Sequence, residues 1–494
     1  MYYNVCRPQE VEKVIVYKPF GSFKNLKKLI IPETFLWKYV QMAKKIRGLE
    51  RLRFVMTEAQ IAKYPTLFRN LSSLQILHLK IFDDNRNLAL KTDDEKSQIV
   101  SLTWRFFRDL MNLKHLKELT LILEDCLITK DYRFAEDFLE LLAKSTVERY
   151  HLTLPLSLLE DIRQTSEINK ALSEVDSLDM VWNFYYYGFE SASEKKKTII
   201  FLFPEKSNIN ISNLLSKFSH LKFLTLNQTH GGTVTFNIPQ PNPHLEALKL
   251  NVDLRQESKA FELMKFAADY VANSQLKSIY LRLAHLPDDI FKQLLRIHDS
   301  LSPLKTEKYE LDLANPKNWS YIQRDSENPT PLVPLDTETL RLLTSKISEL
   351  ISLKVLYLEL YLKGAESVQY IEQLFSHLPN LTKLELRLYH ESPVNFTMMT
   401  MPVYNSKKLE HVRLDFSETF KFANLIEFFE GVSQLEELDE LNIHCVGMNS
   451  MNKETKDKIA HILSNLKKCS KYTLGHLQWT KPNSTNSKYY TIVK

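Results

Sequence analysis

A short phrase of leucines returns along this chain and constrains its fold more than any other feature. The phrase is clearest as Leu353-x-x-Leu356-x-Leu358 and again as Leu381-x-x-Leu384-x-Leu386. Each copy reads as an alternating strand preceded by an apolar residue, and its return at a spacing of about 20–50 residues is typical of a stacked solenoid. Because each copy buries its leucines against the next one, the chain is predicted to form one continuous solenoid domain.

The penultimate apolar residue of each copy serves as a marker of the repeat. The last five markers are separated by 28, 28, 29 and 31 residues. Three intervals are overlong, from 77 to 119, from 178 to 224 and from 309 to 356, and each must contain a degenerate repeat or an insertion. Within the second interval, residues 197–203 are a candidate strand. The markers define about 15 irregular repeats: Leu29, Leu52, Leu77, Leu119, Tyr150, Leu178, Leu224, Leu248, Ile279, Tyr309, Leu356, Leu384, Val412, Leu441 and Tyr472.

The segments between the phrases carry apolar residues at helical spacing. Ile371, Leu374 and Leu378 fall on one face of a helix, and Ile459, Ile462, Leu463 and Leu466 do so near the end of the chain. Strands that are separated by a crossover helix are parallel. The sequence therefore predicts an α/β fold, with a curved parallel sheet on the concave side and helices on the convex side.

At this point the chain resembles the leucine-rich repeat family, in its helix-containing subtype similar to ribonuclease inhibitor. The resemblance runs from about residue 23 to 474 and rests on Leu74-x-x-Leu77-x-Leu79, Leu116-x-x-Leu119-x-Leu121, Leu221-x-x-Leu224-x-Leu226 and the copies quoted above. One departure is clear. The family places an Asn or Cys in the bend that follows the strand, and here that position holds residues such as Tyr361 and Tyr389. The backbone groups of these bends must be satisfied in another way, which predicts an irregular arc.

The breaks in periodicity suggest a division of the chain. We expect an N-terminal cap strand at 1–22, the leucine-rich-repeat solenoid at 23–475 and a polar C-terminal tail at 476–494. Insertions are expected near 82–104, 185–197, 314–338 and 391–405. The third of these has several prolines and no periodicity, as a loop does.

Composition excludes several classes of function. A net charge of +5 over 494 residues does not predict a nucleic-acid partner, which would need a concentrated basic face. The 9 glycines argue against Gly-rich phosphate-binding loops, and no hydrolase, kinase or metalloprotease motif is present. We therefore expect no enzyme activity, no cofactor, no metal and no small-molecule substrate.

Cysteine usage and hydropathy bear on the compartment. The four cysteines are scattered without a C-x-x-C pair, which favours free thiols in a reducing compartment. No apolar run approaches the roughly 18 residues of a membrane span. The expected localisation is cytoplasmic, with a cytoskeletal or ciliary assembly and the nucleus left open.

A strand of period two turns its alternate residues away from the core. If the marker leucines are buried, the residues between them form a strip across the exposed side of the sheet, rich in both charges and in tyrosine, a composition suited to protein recognition. A solvated sheet face must be polar in any case, so the strip is a candidate surface. The candidate protein contacts on it are Arg51, Arg53, Tyr280, Arg282, Glu310, Asp312, Tyr357, Glu359, Glu385, Arg387, Arg413 and Asp415. The same alternation also places His78, Lys80, Thr120, Thr225, Lys249, Asn442 and His444 on the strip.

Two further features add to the candidate surface. The insertion at 394–404 is unusually apolar and carries Phe396, Met398 and Met399, which either contact a partner or fold back onto their own repeat. Arg51 and Arg53 continue a basic run from Lys44. We expect that Tyr280→Ala combined with Arg282→Glu weakens partner binding without unfolding the protein.

These features favour a non-enzymatic protein–protein interaction scaffold, a structural subunit of a larger assembly whose partners are other protein subunits. Two alternatives come from roles known among similar solenoids: a substrate-recognition adaptor of a ubiquitin ligase, and a GTPase regulator. Residues Ile31, Pro32 and Glu33 faintly resemble the opening of an F-box, although Pro32 and Glu33 also suit the start of a helix.

Overall fold

The fold is seen in a computed structural model that describes part of the chain. The described residues are 27–31, 48–82, 92–124, 134–155, 165–181, 197–202, 208–227, 233–235, 241–252, 257–272, 274–283, 286–313, 334–364, 366–390, 394–395, 406–416, 420–421, 425–444, 452–464, 466, 468–469, 471–475 and 489–493. The chain forms two compact units. The first comprises Met1–Leu221 and Gly231–Thr235, and the second comprises Lys222–His230 and Phe236–Lys494.

The first unit contains a parallel sheet whose strands alternate with helices. Its strands are β1 (Lys28–Ile30), β2 (Arg51–Thr57), β3 (Ile76–Phe82), β4 (Glu118–Glu124), β5 (Arg149–Pro155), β6 (Ser177–Val181), β7 (Lys197–Leu202), β8 (Asn208–Asn210) and β10 (Thr233–Thr235). Its helices are α1 (Glu58–Lys63), α2 (Asp93–Met111), α3 (Phe134–Lys144), α4 (Ser166–Ser173) and α5 (Ile211–Leu215), with a 3-10 turn at Leu67–Asn70. Strands β1 to β5 pair in chain order, and β8 pairs with β10 apart from them.

The second unit continues the same alternation of strand and helix. Its strands are β9 (Phe223–Asn227), β11 (Ala247–Val252), β12 (Ser278–Leu283), β13 (Lys308–Asp312), β14 (Val355–Leu362), β15 (Lys383–His390), β16 (Val394–Asn395), β17 (His411–Phe416), β18 (Phe420–Lys421), β19 (Glu440–His444), β20 (Lys471–Gly475) and β21 (Tyr489–Val493). Its helices are α6 (Glu257–Val271), α7 (Asp288–Asp299), α8 (Thr337–Ser348), α9 (Ser367–Ser376), α10 (Leu425–Val432) and α11 (Lys453–Ser464). Neighbouring helices pack side by side, as α6 does with α7 and α8 does with α9.

The strand register confirms the solenoid that the leucine phrase predicts. In the second unit, each marker from Leu224 to Tyr472 is the direct partner of the next marker on the neighbouring parallel strand. The same holds in the first unit from Leu29 to Tyr150. The leucines form continuous buried rows; Leu356, Leu358, Leu386 and Leu441, for example, are completely inaccessible to solvent. Burial of these rows is the main source of stability in such a stack.

The strand order departs from the chain order at one place. Residues 197–202 form a strand, as expected, but β7 lies between β5 and β6 rather than after β6. The sequential order of the markers is therefore wrong at this point. Thr198, Ile199 and Ile200 are all buried, so both faces of β7 are covered. A strand that is apolar on both faces is stabilised most in a central position.

Two of the overlong intervals contain a helix between strands that are direct neighbours in the sheet. Strands β3 and β4 are direct neighbours, and the 19-residue helix α2 lies between them in the chain. Thr92 caps this helix, and the acidic residues Asp93–Glu95 form its first turn, where negative charge is favourable. Likewise β13 and β14 are direct neighbours, with α8 between them in the chain.

Strands β14 and β15 run through the position where the leucine-rich repeat family bends. Tyr361 and Tyr389 are register partners near the ends of these 8-residue strands. At this position after β14, the carbonyl of Tyr361 accepts a hydrogen bond from the backbone N–H of Leu335 at 2.7 Å, so this carbonyl is satisfied without the family's Asn. Hydroxyl side chains connect neighbouring repeats before the strands begin, since Thr306 Oγ1 donates to the carbonyl of Leu276 at 2.8 Å and Ser406 Oγ donates to the carbonyl of Leu378 at 3.1 Å.

Several regions outlined from the sequence fall wholly or partly outside the described residues. The cap strand at 1–22 lies outside them, as do most of the insertions at 185–197 and 314–338. Phe396, Met398 and Met399 also lie outside them. Two residues of the insertion at 391–405 form β16, which pairs with β18. In the expected polar tail, β21 pairs antiparallel with β20. Among the described helices, none combines the length and apolar character that crossing a bilayer requires.

A charged face on the second unit as candidate functional site

The candidate site is the side of the second unit's sheet that faces away from the buried leucines. Along β14, Leu356 and Leu358 are buried in the core, and Tyr357 and Glu359 therefore project to the opposite side. The register repeats this alternation on each neighbouring strand, so the alternate side chains form two parallel rows, which together we call the charged face.

Each row crosses the same strands, from β11 to β19. The outer row consists of Lys249, Tyr280, Glu310, Tyr357, Glu385, Arg413 and Asn442. The inner row consists of Asn251, Arg282, Asp312, Glu359, Arg387, Asp415 and His444. Register thus brings together thirteen of the residues that the sequence places on the strip, ten of which are candidate protein contacts.

Acidic and basic side chains alternate in pairs along the inner row. Arg282 Nε lies 3.3 Å from Asp312 Oδ2, and Arg387 Nη1 donates to Glu359 Oε2 at 3.3 Å. At the other end, His444 Nδ1 lies 3.1 Å from Asp415 Oδ1. The inner row is therefore a ladder of ion pairs that links neighbouring repeats.

Arg387 is the centre of this ladder. Besides Glu359, its guanidinium contacts Glu385 Oε1 at 2.7 Å and Asp415 Oδ2 at 3.2 Å. Arg413 reaches the same two acids, with its Nε 3.0 Å from Asp415 Oδ2 and 3.6 Å from Glu385 Oε1. Five ionisable groups from three adjacent strands thus form one connected cluster.

Tyrosines enclose the cluster. Tyr357 Oη donates to Glu359 Oε2, and Tyr389 Oη donates to Glu359 Oε1 at 3.3 Å. The Arg387 guanidinium lies 5.4 Å from the centre of the Tyr357 ring, and Lys249 Nζ lies 4.8 Å from the centre of the Tyr280 ring. Both distances allow cation–π attraction.

The acids of the inner row are hidden from solvent, whereas its arginines, Arg282 and Arg387, are 21% and 22% exposed. The side chains of Asp312 and Asp415 are 4% exposed, and that of Glu359 is fully buried. In the outer row Lys249 is exposed and Arg413 is 42% exposed. A partner that approaches this face would therefore meet the outer row first, while the inner row supports it from below.

Burial and neighbouring charge set the protonation of the cluster. Burial, together with the nearby Asp312 charge, raises the pKa of the Glu359 carboxyl to about 7, against the opposing effects of the Tyr357 hydroxyl and Arg387. Burial also acts to raise the pKa of Asp415, but the hydrogen bond with His444 and the charges of Arg413 and Arg387 lower it overall. Burial raises the pKa of Tyr280 to about 12 and raises the pKa of Tyr357 and Tyr389 further, so all three stay neutral.

The remaining predicted residues lie elsewhere. Arg51 and Arg53 belong to β2 in the first unit, where Arg51 is exposed and Arg53 is half-buried opposite His78. Sequence reasoning missed Asn251 of the inner row and two side chains that contact the rows. Lys308 lies beside Glu310, with Nζ 2.8 Å from Oε1, and Tyr389, which the family pattern places in a bend, donates to Glu359. Alternation along β15 would have shown Tyr389 on this face if the strand had been extended by two residues.

Comparisons with known proteins add no assignment, because the chain matches no protein-family model and no curated protein. The part of the chain that the structure describes contains no group of three His, Cys, Asp or Glu side chains arranged to hold a metal ion.

Proposed function

We propose that this chain is a non-enzymatic scaffold of the leucine-rich repeat type that binds other protein subunits of a larger assembly through its charged face. The continuity of that face carries the proposal. Its rows cross the strands β11, β12, β13, β14, β15, β17 and β19, which at about 4.8 Å per step is about 29 Å. A width of this order suits a protein interface of about 800 Å² per partner and exceeds what a small molecule needs.

The chemistry of the face supports binding rather than catalysis. Tyr357 and Tyr389 donate hydrogen bonds to Glu359, and Arg387 links Glu359 to Asp415, so these groups serve mutual neutralisation and rigidity. A rigid surface with half-buried tyrosines and paired charges loses little conformational entropy when a partner binds. For the compartment we propose the cytoplasm, because scattered cysteines without a C-x-x-C pair are typical of a reducing compartment.

The structure changes the choice of variant for the test. Arg282 pairs with the buried Asp312, so Arg282→Glu would set two carboxylates against each other and destabilise the strand. Lys249→Ala with Tyr280→Ala removes exposed and half-buried surface of the outer row and leaves that ion pair intact. A matched control is Lys292→Ala with Arg341→Ala, on the exposed surfaces of α7 and α8.

The experiment is affinity purification of the tagged full-length chain and both double variants, followed by quantitative mass spectrometry. We expect wild type and the helix control to recover the same protein subunits in constant ratio to the bait. The Lys249/Tyr280 variant should lose at least about tenfold, a change of about 1.4 kcal/mol in binding. Recovery that falls with the helix control and not with the outer-row variant would refute the proposal.

A further inference from the structure

Glu359 lies at the centre of the charged face and is enclosed by polar side chains. Its side chain is fully buried, and its register partners are Asp312 on β13 and Arg387 on β15. Two tyrosine hydroxyls and one guanidinium nitrogen contact its carboxylate. The opposite side of β14 carries the buried Leu356 and Leu358, so these polar contacts all lie on one side of the strand.

Charged and tyrosine side chains surround Glu359 on this side of the sheet. They come from every neighbouring strand: Lys249 on β11, Tyr280 and Arg282 on β12, Lys308, Glu310 and Asp312 on β13, Tyr357 and Tyr361 on β14, Lys383, Glu385, Arg387 and Tyr389 on β15, His411, Arg413 and Asp415 on β17, and Glu440 and His444 on β19. Lys249 and Lys383 are exposed at the outer positions of their strands. Among the described residues, Arg387 alone forms an ion pair with Glu359.

Glu359 is the carboxylate for which ionisation costs most. Glu310 has Lys308, Asp312 has Arg282, and Asp415 has both Arg413 and His444. Glu359 has Arg387 alone, and that guanidinium is shared with Glu385 and Asp415. A fully buried carboxylate with a shared counter-charge is stabilised by taking up a proton.

We propose that Glu359 gains and loses a proton close to neutral pH and that this proton regulates binding at the charged face. The regulatory part rests on the proposed function. The same burial and the nearby Asp312 charge raise the pKa of Glu359 to about 7, in agreement with this proposal.

Arg387 connects the proton to the surface. When Glu359 is neutral, the Arg387 guanidinium pairs more strongly with Glu385 and Asp415, and Glu385 belongs to the outer row. Glu385 in turn contacts Arg413, the 42% exposed cation of that row. Protonation of a buried residue thus changes the charge that the outer row offers to a partner.

The first measurement follows the proton without any partner. Carbon-13 NMR of protein labelled at glutamate side-chain carboxyls, from about pH 4 to pH 9, should show one resonance with a midpoint near pH 7, and Glu359→Gln should remove it. Asp312→Asn should lower that midpoint by roughly one pH unit, since a neighbouring negative charge is removed. His444→Gln serves as the control and should leave the resonance in place.

The second measurement follows binding. The subunits recovered with wild type should differ at least about threefold between pH 6 and pH 8, whereas recovery with Glu359→Gln should be the same at both values; threefold corresponds to a change of half a pKa unit upon binding. If every glutamate resonance has its midpoint below about pH 5.5, the proton site is refuted. If the resonance titrates near pH 7 but recovery does not follow it, the regulatory claim is refuted.

The two proposals fail differently. The proposed function is refuted if wild type and Lys249→Ala/Tyr280→Ala recover equal amounts of the partner subunits, whatever the NMR titration gives. Failure of the proton site appears in the NMR titration alone, even where recovery depends on the outer row.

Discussion

Replacement of Arg387 by Met tests whether the charged face is a coupled ion network. The variant keeps most of the side-chain volume and removes the guanidinium that contacts Glu359, Glu385 and Asp415 at 3.3, 2.7 and 3.2 Å. Removing one partner of a buried ion pair costs about 3–5 kcal/mol, because the remaining charge is left unpaired in a poorly solvated place. Asp415 keeps Arg413 and His444, and Glu359 can take up a proton, so we expect the lower end, about 3 kcal/mol.

Two companion variants make that prediction specific. Arg413→Met removes a guanidinium that is 42% exposed, and it should cost about 1 kcal/mol or less. Arg387→Met combined with Glu359→Gln removes the unpaired charge along with its partner and should recover about 1–2 kcal/mol of the single-variant loss.

Two assays measure the loss. Urea unfolding gives the free energy of unfolding, and hydrogen exchange with mass spectrometry gives the protection of peptides from β14 and β15. Stability in a repeat stack is set by nearest neighbours, so the loss should appear first in these strands. If Arg387→Met is as mild as Arg413→Met, or if Glu359→Gln gives no recovery, the contacts of Arg387 do not form a coupled network and the reasoning is refuted.

Three further predictions concern the stability of the second unit. Burial lowers the pKa of His298 to about 3 in the folded chain, so between about pH 6.5 and pH 3 only the unfolded chain takes up this proton and the free energy of unfolding decreases as the pH falls. At about pH 5 the decrease in the free energy of unfolding is about 2 kcal/mol. In thermal unfolding, His298→Leu should lack this part of the pH dependence. If its stability varies with pH as that of wild type does, the lowered pKa of His298 is contradicted. Gly364 has φ 79°, and an added Cβ would lie 3.2 Å from Thr337 Oγ1, so Gly364→Ala should lower stability by about 1 kcal/mol in urea unfolding, and no loss would disprove the strain. Thr306→Val removes the hydrogen bond to the Leu276 carbonyl and should cost about 1–2 kcal/mol by the same measurement, with Thr337→Val as control.

The leucine pattern was sufficient for most of the fold because burial at a fixed spacing leaves little choice of register. A slip of one residue would turn every leucine of a strand to solvent, so marker-to-marker pairing follows from the sequence. The position of β7 did not follow in this way. Apolar spacing shows that residues 197–202 form a strand, but the choice of neighbour depends on which strand needs cover on both faces.

The sequence predicts which residues belong to the charged face but not how deeply each of them is buried. Alternation along each strand identifies its members but does not show which of them are buried. The carboxylate of Glu359 is buried because Tyr357, Tyr389 and Arg387 cover it, and these contacts depend on cross-strand register and on the length of β15. The family pattern places Tyr389 in a bend, so it does not predict that β15 continues to His390.

Site-specific photo-crosslinking tests the central claim most directly. A benzophenone amino acid at Tyr280 in the outer row is compared with the same group at Lys292 on α7, in the full-length chain inside cells. We expect a crosslink from position 280 to one or a few defined protein subunits, in yields at least about tenfold above those from position 292. Crosslinks to defined subunits from position 292, with none from position 280, would contradict it and assign binding to the helices.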